Sequence, residues 1–185
     1  MKIAVFCSSS NRIAEHYKQT AFQLGRMIAI GEHTLVFGGA TGGLMDAVAE
    51  GAQLQNGQIV GIIPQAIIRM KRQSSISTKV IEVETMNERK ATMKELADAF
   101  VVLPGSYGTL DEMFDIISSG IVGEHKKPLV LINQDGFYNP LMNQIDYMRS
   151  ESFIPTDEVY KPHIAQNNEE CMQFLEATMR KQLTI

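Results

Sequence analysis

The strongest constraint on the fold is a regular alternation of short apolar runs rich in β-forming residues with amphipathic stretches of helical length. The runs predict strands at residues 3–7, 34–37, 59–63, 80–83, 100–103 and 129–132. The stretches predict helices at residues 13–30, 43–55, 86–98, 109–120, 139–149 and 168–182. Several runs are apolar almost throughout, as in strands covered on both faces. The alternation predicts an α/β fold: a doubly wound, mostly parallel, Rossmann-like sheet with helices on both faces.

The composition is that of a globular domain, with 185 residues, 44% of them hydrophobic and 21% charged. We therefore expect a single domain over residues 1–185. No run approaches the ~20 apolar residues of a membrane helix, so no membrane association is expected. The N-terminus lacks the pattern of a secretory signal, and Cys7 and Cys171 do not suggest a disulfide framework. These features predict a cytoplasmic protein.

The charge pattern favours a small anionic ligand over a nucleic acid. The net charge is −4, whereas nucleic-acid binders carry a basic excess. Residues 60–95 nevertheless contain seven Lys or Arg and four Asp or Glu, a local charge of +3. Scattered surface charge explains this count equally well. The four histidines and two cysteines lack metal-ligand spacing, so we predict no metal and no cofactor.

Four loops with distinctive residues lead from predicted strands into helices, where the ligands of open α/β sheets bind, and one of the four opens the helix at 86–98. Residues 104–109 read Pro-Gly-Ser-Tyr-Gly-Thr, and such a turn lets backbone N–H groups at a helix N-terminus surround a phosphate. It is neither a Walker loop nor a G-x-G-x-x-G motif, and an ordinary strand-to-helix turn is the alternative. Gly38 and Gly39 open a second such turn, which close helix–strand packing also explains. Ser8 follows the first strand and would either bind phosphate or cap the next helix.

Glu112 has two interpretations. Thr109 and Glu112 have the spacing of a capping box, in which Thr109 is the N-cap and Glu112 bonds back to its amide. Helical spacing also directs Glu112 away from the apolar stripe of its helix. Alternatively, a carboxylate beside a phosphate-binding turn orients water or stabilises positive charge.

Arg89 and Lys90 break the local rules of the helix at 86–98. They lie near its N-terminus, where the helix dipole disfavours cations, and they interrupt its apolar face. An unpaired inward cation is costly, so an anionic ligand would be its missing partner. Extension of both side chains to solvent, or pairing with nearby carboxylates, is the alternative.

Taken together, these motifs resemble the LOG family, the cytokinin riboside 5′-monophosphate phosphoribohydrolases. The resemblance rests on Met86-x-x-Arg89-Lys90 and on Pro104-Gly105-x-x-Gly108-Thr109-x-x-Glu112, in this order and spacing. It extends over most of the chain, including residues 7–10, 37–45, 61–64 and 127–139. The sequence departs from the family pattern at Asn87, where His is usual, and at Ser106, where the family has glycine.

The resemblance implies a Rossmann-like homodimer that hydrolyses the N-glycosidic bond of a nucleoside 5′-monophosphate. AMP or an N6-substituted AMP would yield the free base, which in the latter case is an active cytokinin, and ribose 5-phosphate. Arg89 and Glu112 match the family's catalytic pair. The matched substrate-contacting positions are Lys90, Gly105, Ser106, Tyr107, Gly108, Thr109, Leu110, Asp111 and Ser118, the last usually Thr in the family.

Two other functions fit parts of the pattern. The segment at residues 8–12 is weakly similar to the phosphate loop of flavin reductases, which would indicate a flavin-dependent oxidoreductase. A non-catalytic nucleotide carrier or sensor on the same fold would bind AMP and release no base. Flavin absorbance would indicate the oxidoreductase. Release of free base would distinguish the hydrolase from the carrier or sensor.

Overall fold

A computed structural model describes residues 1–155 and 157–183. Within these residues, seven strands form one sheet in the order β4-β3-β2-β1-β5-β6-β7, and every neighbouring pair is parallel. The strands are β1 (Lys2–Phe6), β2 (Thr34–Phe37), β3 (Gln58–Pro64), β4 (Lys79–Val83), β5 (Ala99–Val102), β6 (Leu129–Ile132) and β7 (His163–Ala165). The predicted α/β class is confirmed, and every predicted strand is present.

The described helices alternate with these strands. They are α1 (Glu15–Ile30), α2 (Gly43–Leu54), α3 (Gln65–Arg69), α4 (Met86–Leu96), α5 (Tyr107–Ile121), α6 (Asn139–Ser150) and α7 (Asn168–Leu183). The short elements α3 and β7 were not predicted, because five and three residues are too few to show a periodic pattern. A 3₁₀ turn at Gln134–Gly136 was also missed. No described helix has the length and apolarity needed to cross a membrane.

The central strands are buried on both faces, which explains their continuous apolar sequence. Ile3 and Val5 point to one face, where they join a core built with α1, α2 and α7. Ala4 and Phe6 point to the other face, where they join a core built with α4 and α5. Because successive strand residues alternate between faces, a strand between two helical layers has no solvent side to fill with polar residues.

Glycine is the C-cap of only one of the first two helices. Gly31 is the C-cap of α1. The C-cap of α2 is instead Gln55, followed by Asn56 at φ 54°, so Gly57 lies two residues beyond the cap. Asparagine is the non-glycine residue that best tolerates this left-handed conformation, and it ends α2 here.

The strand order places a crevice at the centre of the sheet. The chain runs outward from β1 through β2, β3 and β4, then returns to the other side of β1 at β5. The loops that follow the carboxyl ends of β1 and β5 therefore diverge from each other, and open α/β sheets bind ligands at such a point. The first runs from Cys7, and the second contains residues 104–106.

Candidate active site

A cavity of about 440 Å³ opens at this crevice. Eight of the predicted site residues line it: Ser8, Gly38, Arg89, Ser106, Gly108, Thr109, Asp111 and Glu112. They come from the loops after β1, β2 and β5, from the first turn of α4 and from the first two turns of α5. Segments more than 100 residues apart in sequence therefore meet around one concave surface.

The other predicted site residues lie outside this cavity. Leu110 is half-buried against the core under α4 and α5, while the Tyr107 side chain is 91% exposed. Gly105 lies under Thr109 and lines a smaller neighbouring cavity of about 280 Å³. Gly39 adopts φ 67° and packs against β3. Ser118 lies on the outer side of α5, in a different groove, so this chain alone does not bring it to Glu112.

The centre of the cavity wall is an ion pair between Arg89 and Glu112. A guanidinium N–H of Arg89 donates directly to Glu112 Oε1. Both side chains are only 6% exposed. Arg89 projects from α4 and Glu112 from α5, so the pair joins two helices across the crevice. The anionic partner that was expected for Arg89 is therefore supplied by the protein itself.

The start of α4 sets the direction of Arg89. Thr85 is the N-cap, and its hydroxyl accepts the N–H of Glu88 at 3.1 Å. The Glu88 carboxylate in turn accepts the N–H of Glu84 at 2.7 Å. The first bond satisfies an N–H group that the helix leaves free, the second fixes the residue before the N-cap, and together they favour a helix start at Met86. Arg89 then lies one turn in, facing the crevice.

The capping-box interpretation of Thr109 and Glu112 is wrong. Helix α5 begins at Tyr107 with Ser106 as its N-cap, so Thr109 already lies within the first turn. Glu112 is 5% exposed and faces the cavity wall, contrary to the outward direction predicted for it. A carboxylate this deeply buried requires a partner, and Arg89 provides it.

Burial and pairing act in opposite directions on Glu112. Loss of hydration raises the pKa of its carboxyl group, and the guanidinium of Arg89 opposes that rise. The outcome is a pKa above the ordinary glutamate value for a group that faces a ligand-sized cavity. Perturbed carboxyl groups of this kind concentrate at catalytic sites.

Gly38 makes room for the Arg89 guanidinium. A Cβ atom on Gly38 would lie 1.9 Å from Arg89 Nη2 and 3.0 Å from Cζ. No side chain other than hydrogen fits this gap without moving the guanidinium. The glycine after β2 therefore has a steric role in the site, because it lets Arg89 pass over the end of the strand to reach Glu112.

The N-terminus of α5 is open toward the same cavity. Among the described residues, no side chain caps this end. The first-turn N–H groups of an α-helix have no partner within the helix. Because Gly108 and Thr109 line the cavity, these N–H groups and the positive end of the helix dipole are available to an anion.

In the glycine turn at residues 38–43, backbone N–H groups are hydrogen-bonded within the protein and are not free for a ligand. The N–H of Thr41 donates to Arg72 O at 2.7 Å. Those of Gly42 and Gly43 donate to the side chains of Asp46 at 2.7 Å and Asn11 at 2.9 Å. The close-packing alternative therefore explains this part of the turn.

The serines after β1 likewise form local turns. The Ser8 hydroxyl accepts the Ser10 N–H at 3.2 Å, and the Ser10 hydroxyl accepts the Arg12 N–H at 3.3 Å. The next helix, α1, begins only at Glu15, with Ala14 as its N-cap. Helix capping by Ser8 is therefore wrong, although Ser8 does line the cavity.

Lys90 lies outside the cavity lining in an ion-pair network between α4 and α5. Its ammonium contacts Asp111 at 3.0 Å and Asp115 at 4.0 Å. Lys94 continues the network to Asp115 and Glu124. This pairing was one of the two alternatives for Lys90, and it holds the two helices that carry Arg89 and Glu112 in register.

Sequence reasoning missed several residues of the cavity wall. Arg72 and Ile67 line it, and no motif marked either of them, whereas Met45 lies in the matched segment 37–45 but was not selected as a site residue. Cys7 also lines it, and burial raises the pKa of its thiol, so the thiol is neutral beside the ion pair. The described residues contain no cluster of three or more His, Cys, Asp or Glu that could hold a metal ion.

The fold and a comparison with known proteins identify the class and the family of the chain. Its sheet order and the crevice at its centre define a Rossmann-like α/β protein. Residues 45–175 match the family described as possible lysine decarboxylase. The chain belongs to this family, which is the LOG family that its motifs resemble.

Two relatives and one solved structure illustrate the match. The cytokinin riboside 5′-monophosphate phosphoribohydrolase LOG5 of Arabidopsis thaliana is 36% identical over 176 residues, 95% of this chain and 77% of the relative. LOG2 of the same plant, which has the same activity in its name, is 35% identical over 180 residues, 97% and 84% of the two chains. The molybdenum cofactor binding protein of Rippkaea orientalis has a TM-score of 0.74 at 22% identity and 96% coverage of both chains, a likeness of fold alone.

Proposed function

We propose that this protein hydrolyses the N-glycosidic bond of a nucleoside 5′-monophosphate. The observation that carries the proposal is the buried Arg89–Glu112 pair in the wall of a cavity that also contains the open N-terminus of α5. The ion pair suits a cationic transition state, and the open helix N-terminus suits a phosphate. The relatives named as phosphoribohydrolases support the same reaction.

The reaction replaces the bond between C1′ and the base nitrogen with a bond between C1′ and water oxygen. One hydrogen of the water stays on the new C1′ hydroxyl, and the other leaves with the free base. The transition state has oxocarbenium character, so positive charge develops on the ribose. The Glu112 carboxylate stabilises this charge and orients the attacking water.

Arg89 keeps Glu112 ionised and in place. Burial alone favours the neutral acid, and the adjacent guanidinium is the main group that opposes this, with a smaller contribution from Lys90. The remaining N–H groups of Arg89 are available to ribose oxygens in the cavity. The Glu112 carboxylate, held in this pair, thus presents a fixed negatively charged oxygen where the sugar becomes positive.

The substrate class follows from the remaining groups. The open amides of α5 at Gly108 and Thr109 bind the 5′-phosphate, and Ser8 and Ser106 add hydroxyls at the same wall. AMP and N6-substituted AMP are the proposed substrates, in line with the names of the relatives. Lysine decarboxylation by a Schiff base would need a lysine at the reacting centre, and none of the described residues that line the cavity is lysine.

A homodimer in the cytoplasm completes the proposal. The groove that contains Ser118 is about 800 Å³ and is lined mainly by apolar residues of α5, of α6 and of the segments 153–155 and 157–164. Nearby, Phe153 is 81% exposed and Val122 is 74% exposed. A second copy covering this face would remove them from water and give Ser118 a partner surface. The free thiols of Cys7 and Cys171 suit a reducing compartment.

The direct test is to incubate the purified protein with AMP and with its N6-isopentenyl analogue. Chromatography should detect free base and ribose 5-phosphate in equal amounts. A protein that binds AMP without releasing base would be a carrier, and flavin absorbance in the purified protein would indicate the oxidoreductase alternative. Sedimentation velocity tests the dimer, with Phe153→Glu expected to shift it toward monomer.

A further inference from the structure

Arg72 is the cavity residue whose charge the protein leaves uncompensated. Among the described residues, four charged side chains line the cavity: Arg72, Arg89, Asp111 and Glu112. Arg89 is paired with Glu112, and Asp111 is paired with Lys90. In the described part of the chain, none of the ion pairs includes Arg72. Its positive charge is therefore available to a ligand.

The Arg72 side chain is anchored rather than free. Its Nη2 donates to the carbonyl oxygen of Thr41 at 3.0 Å, and its own carbonyl accepts the Thr41 N–H at 2.7 Å. Two further contacts tie the same segment to the turn after β2: a bridge between Ala40 and Gln73, and a 2.8 Å bond from Ser74 N–H to Gly39 O.

This anchoring leaves most of the donors unused. A guanidinium has five N–H groups, and the bond to Thr41 occupies one of them. Arg72 is half-buried at the cavity wall, so the ordering of its long side chain is achieved before any ligand arrives. A preorganised guanidinium binds the planar oxygen edge of a phosphate or carboxylate by two parallel hydrogen bonds.

We infer that Arg72 binds the phosphate group of the substrate, opposite the open amides of α5, and so makes the site selective for nucleotides over nucleosides. The inference rests on the proposed function for the nature of the substrate. The other cation of the wall, Arg89, does not supply this charge, because it already faces the Glu112 carboxylate. A dianionic phosphate needs more than helix amides to offset the acidic side chains of the same wall.

The test compares Arg72→Gln and Arg72→Lys with Arg69→Gln as the matched control. Arg69 ends α3, is exposed and does not line the cavity, so its substitution removes the same charge from the same segment. Titration calorimetry then measures the binding of ribose 5-phosphate, inorganic phosphate and adenine to each protein. These ligands separate phosphate recognition from base recognition without any turnover.

Arg72→Gln should weaken ribose 5-phosphate and phosphate binding at least about ten-fold and change adenine binding less than two-fold. Arg72→Lys should recover part of the loss, and Arg69→Gln should match the wild type. In turnover assays, kcat/KM for AMP should fall by the same factor, while that for adenosine should not fall.

Three results would overturn the inference. The first is an unchanged affinity of Arg72→Gln for ribose 5-phosphate, and the second is a loss of affinity for adenine alone. The third is an equal loss of affinity for all ligands together with a lowered melting temperature, which would mean that Arg72 has a structural role. The proposed function is judged separately. A wild type that binds ribose 5-phosphate but releases no base from AMP would refute the hydrolase and leave the role of Arg72 intact.

Discussion

Replacement of Gly38 by alanine tests the geometry of the site with a single added methyl group. The new Cβ would lie 1.9 Å from Arg89 Nη2, and ordinary contact begins near 3.4 Å, so the guanidinium must move by about 1.5 Å. The backbone at Gly38 lies outside the left-handed region, so alanine meets no conformational strain there. The clash with Arg89 is therefore the main effect of the substitution.

The expected cost follows from the ion pair that this movement disrupts. A shift of that size removes the hydrogen bond between Arg89 and Glu112, since such bonds weaken steeply beyond about 3.2 Å. Breaking a buried ion pair costs about 3–5 kcal/mol, and the lower entropy of the unfolded alanine chain returns about 0.4–1 kcal/mol. We expect Gly38→Ala to lose roughly 2–4 kcal/mol of unfolding free energy.

Thermal and chemical denaturation measure this loss. For a chain of this size, roughly 2–4 kcal/mol lowers the melting temperature by about 5–15 °C. AMP turnover should fall about 100-fold or more, because the carboxylate loses its fixed position. Gly108→Ala is the matched control for stability, since a Cβ there has no heavy atom within 4 Å. It should change the unfolding free energy by less than about 1 kcal/mol.

A Gly38→Ala protein with wild-type stability and wild-type turnover would refute this reasoning. That result would mean that the guanidinium can leave Glu112 at no cost. Loss of stability with full activity would separate the pair from catalysis and leave it a structural role only.

Three further predictions concern the same region. Glu112→Gln leaves the buried Arg89 without its counter-charge, so we expect about 3 kcal/mol of destabilisation in urea titration and loss of nearly all AMP turnover. Glu124→Gln, which removes a charge from an exposed ion pair, is the control and should cost less than about 1 kcal/mol. Burial raises the pKa of Glu112, and the ionised carboxylate is the active form. As the pH is lowered, kcat/KM for AMP should therefore begin to fall at a pH above 4.5, the ordinary pKa of glutamate. A decline that begins only at pH 4.5 or below would contradict this. Tyr138→Phe removes the 2.7 Å bond to the buried Leu103 carbonyl below the phosphate turn, and calorimetry should show a loss of about 1–2 kcal/mol.

The fold was predictable from the sequence because each layer leaves a periodic signal. Continuous apolar strands follow from burial between two helical layers, and each long helix shows its amphipathic repeat. Strand β7 left no such signal, since only Ala165 of its three residues is buried. Its position depends on pairing with β6, which is a property of the assembled sheet.

The site was predictable by residue type but not by contact. Arg89 and Glu112 were selected from motifs, whereas their pairing depends on where α5 begins, and a local capping rule placed that start wrongly at Thr109. Arg72 had no motif at all. It reaches the cavity because residues 72–74 bond to the turn at 39–41, a long-range contact that sequence periodicity does not encode.

The most direct test of the account is the release of base from AMP by the wild type and by Glu112→Gln, measured on the same folded preparations. Chromatography quantifies adenine and ribose 5-phosphate over time, and circular dichroism confirms folding. We expect equimolar adenine and ribose 5-phosphate from the wild type and almost none from Glu112→Gln. Undiminished release by a folded Glu112→Gln protein, or no release by the wild type, would contradict it.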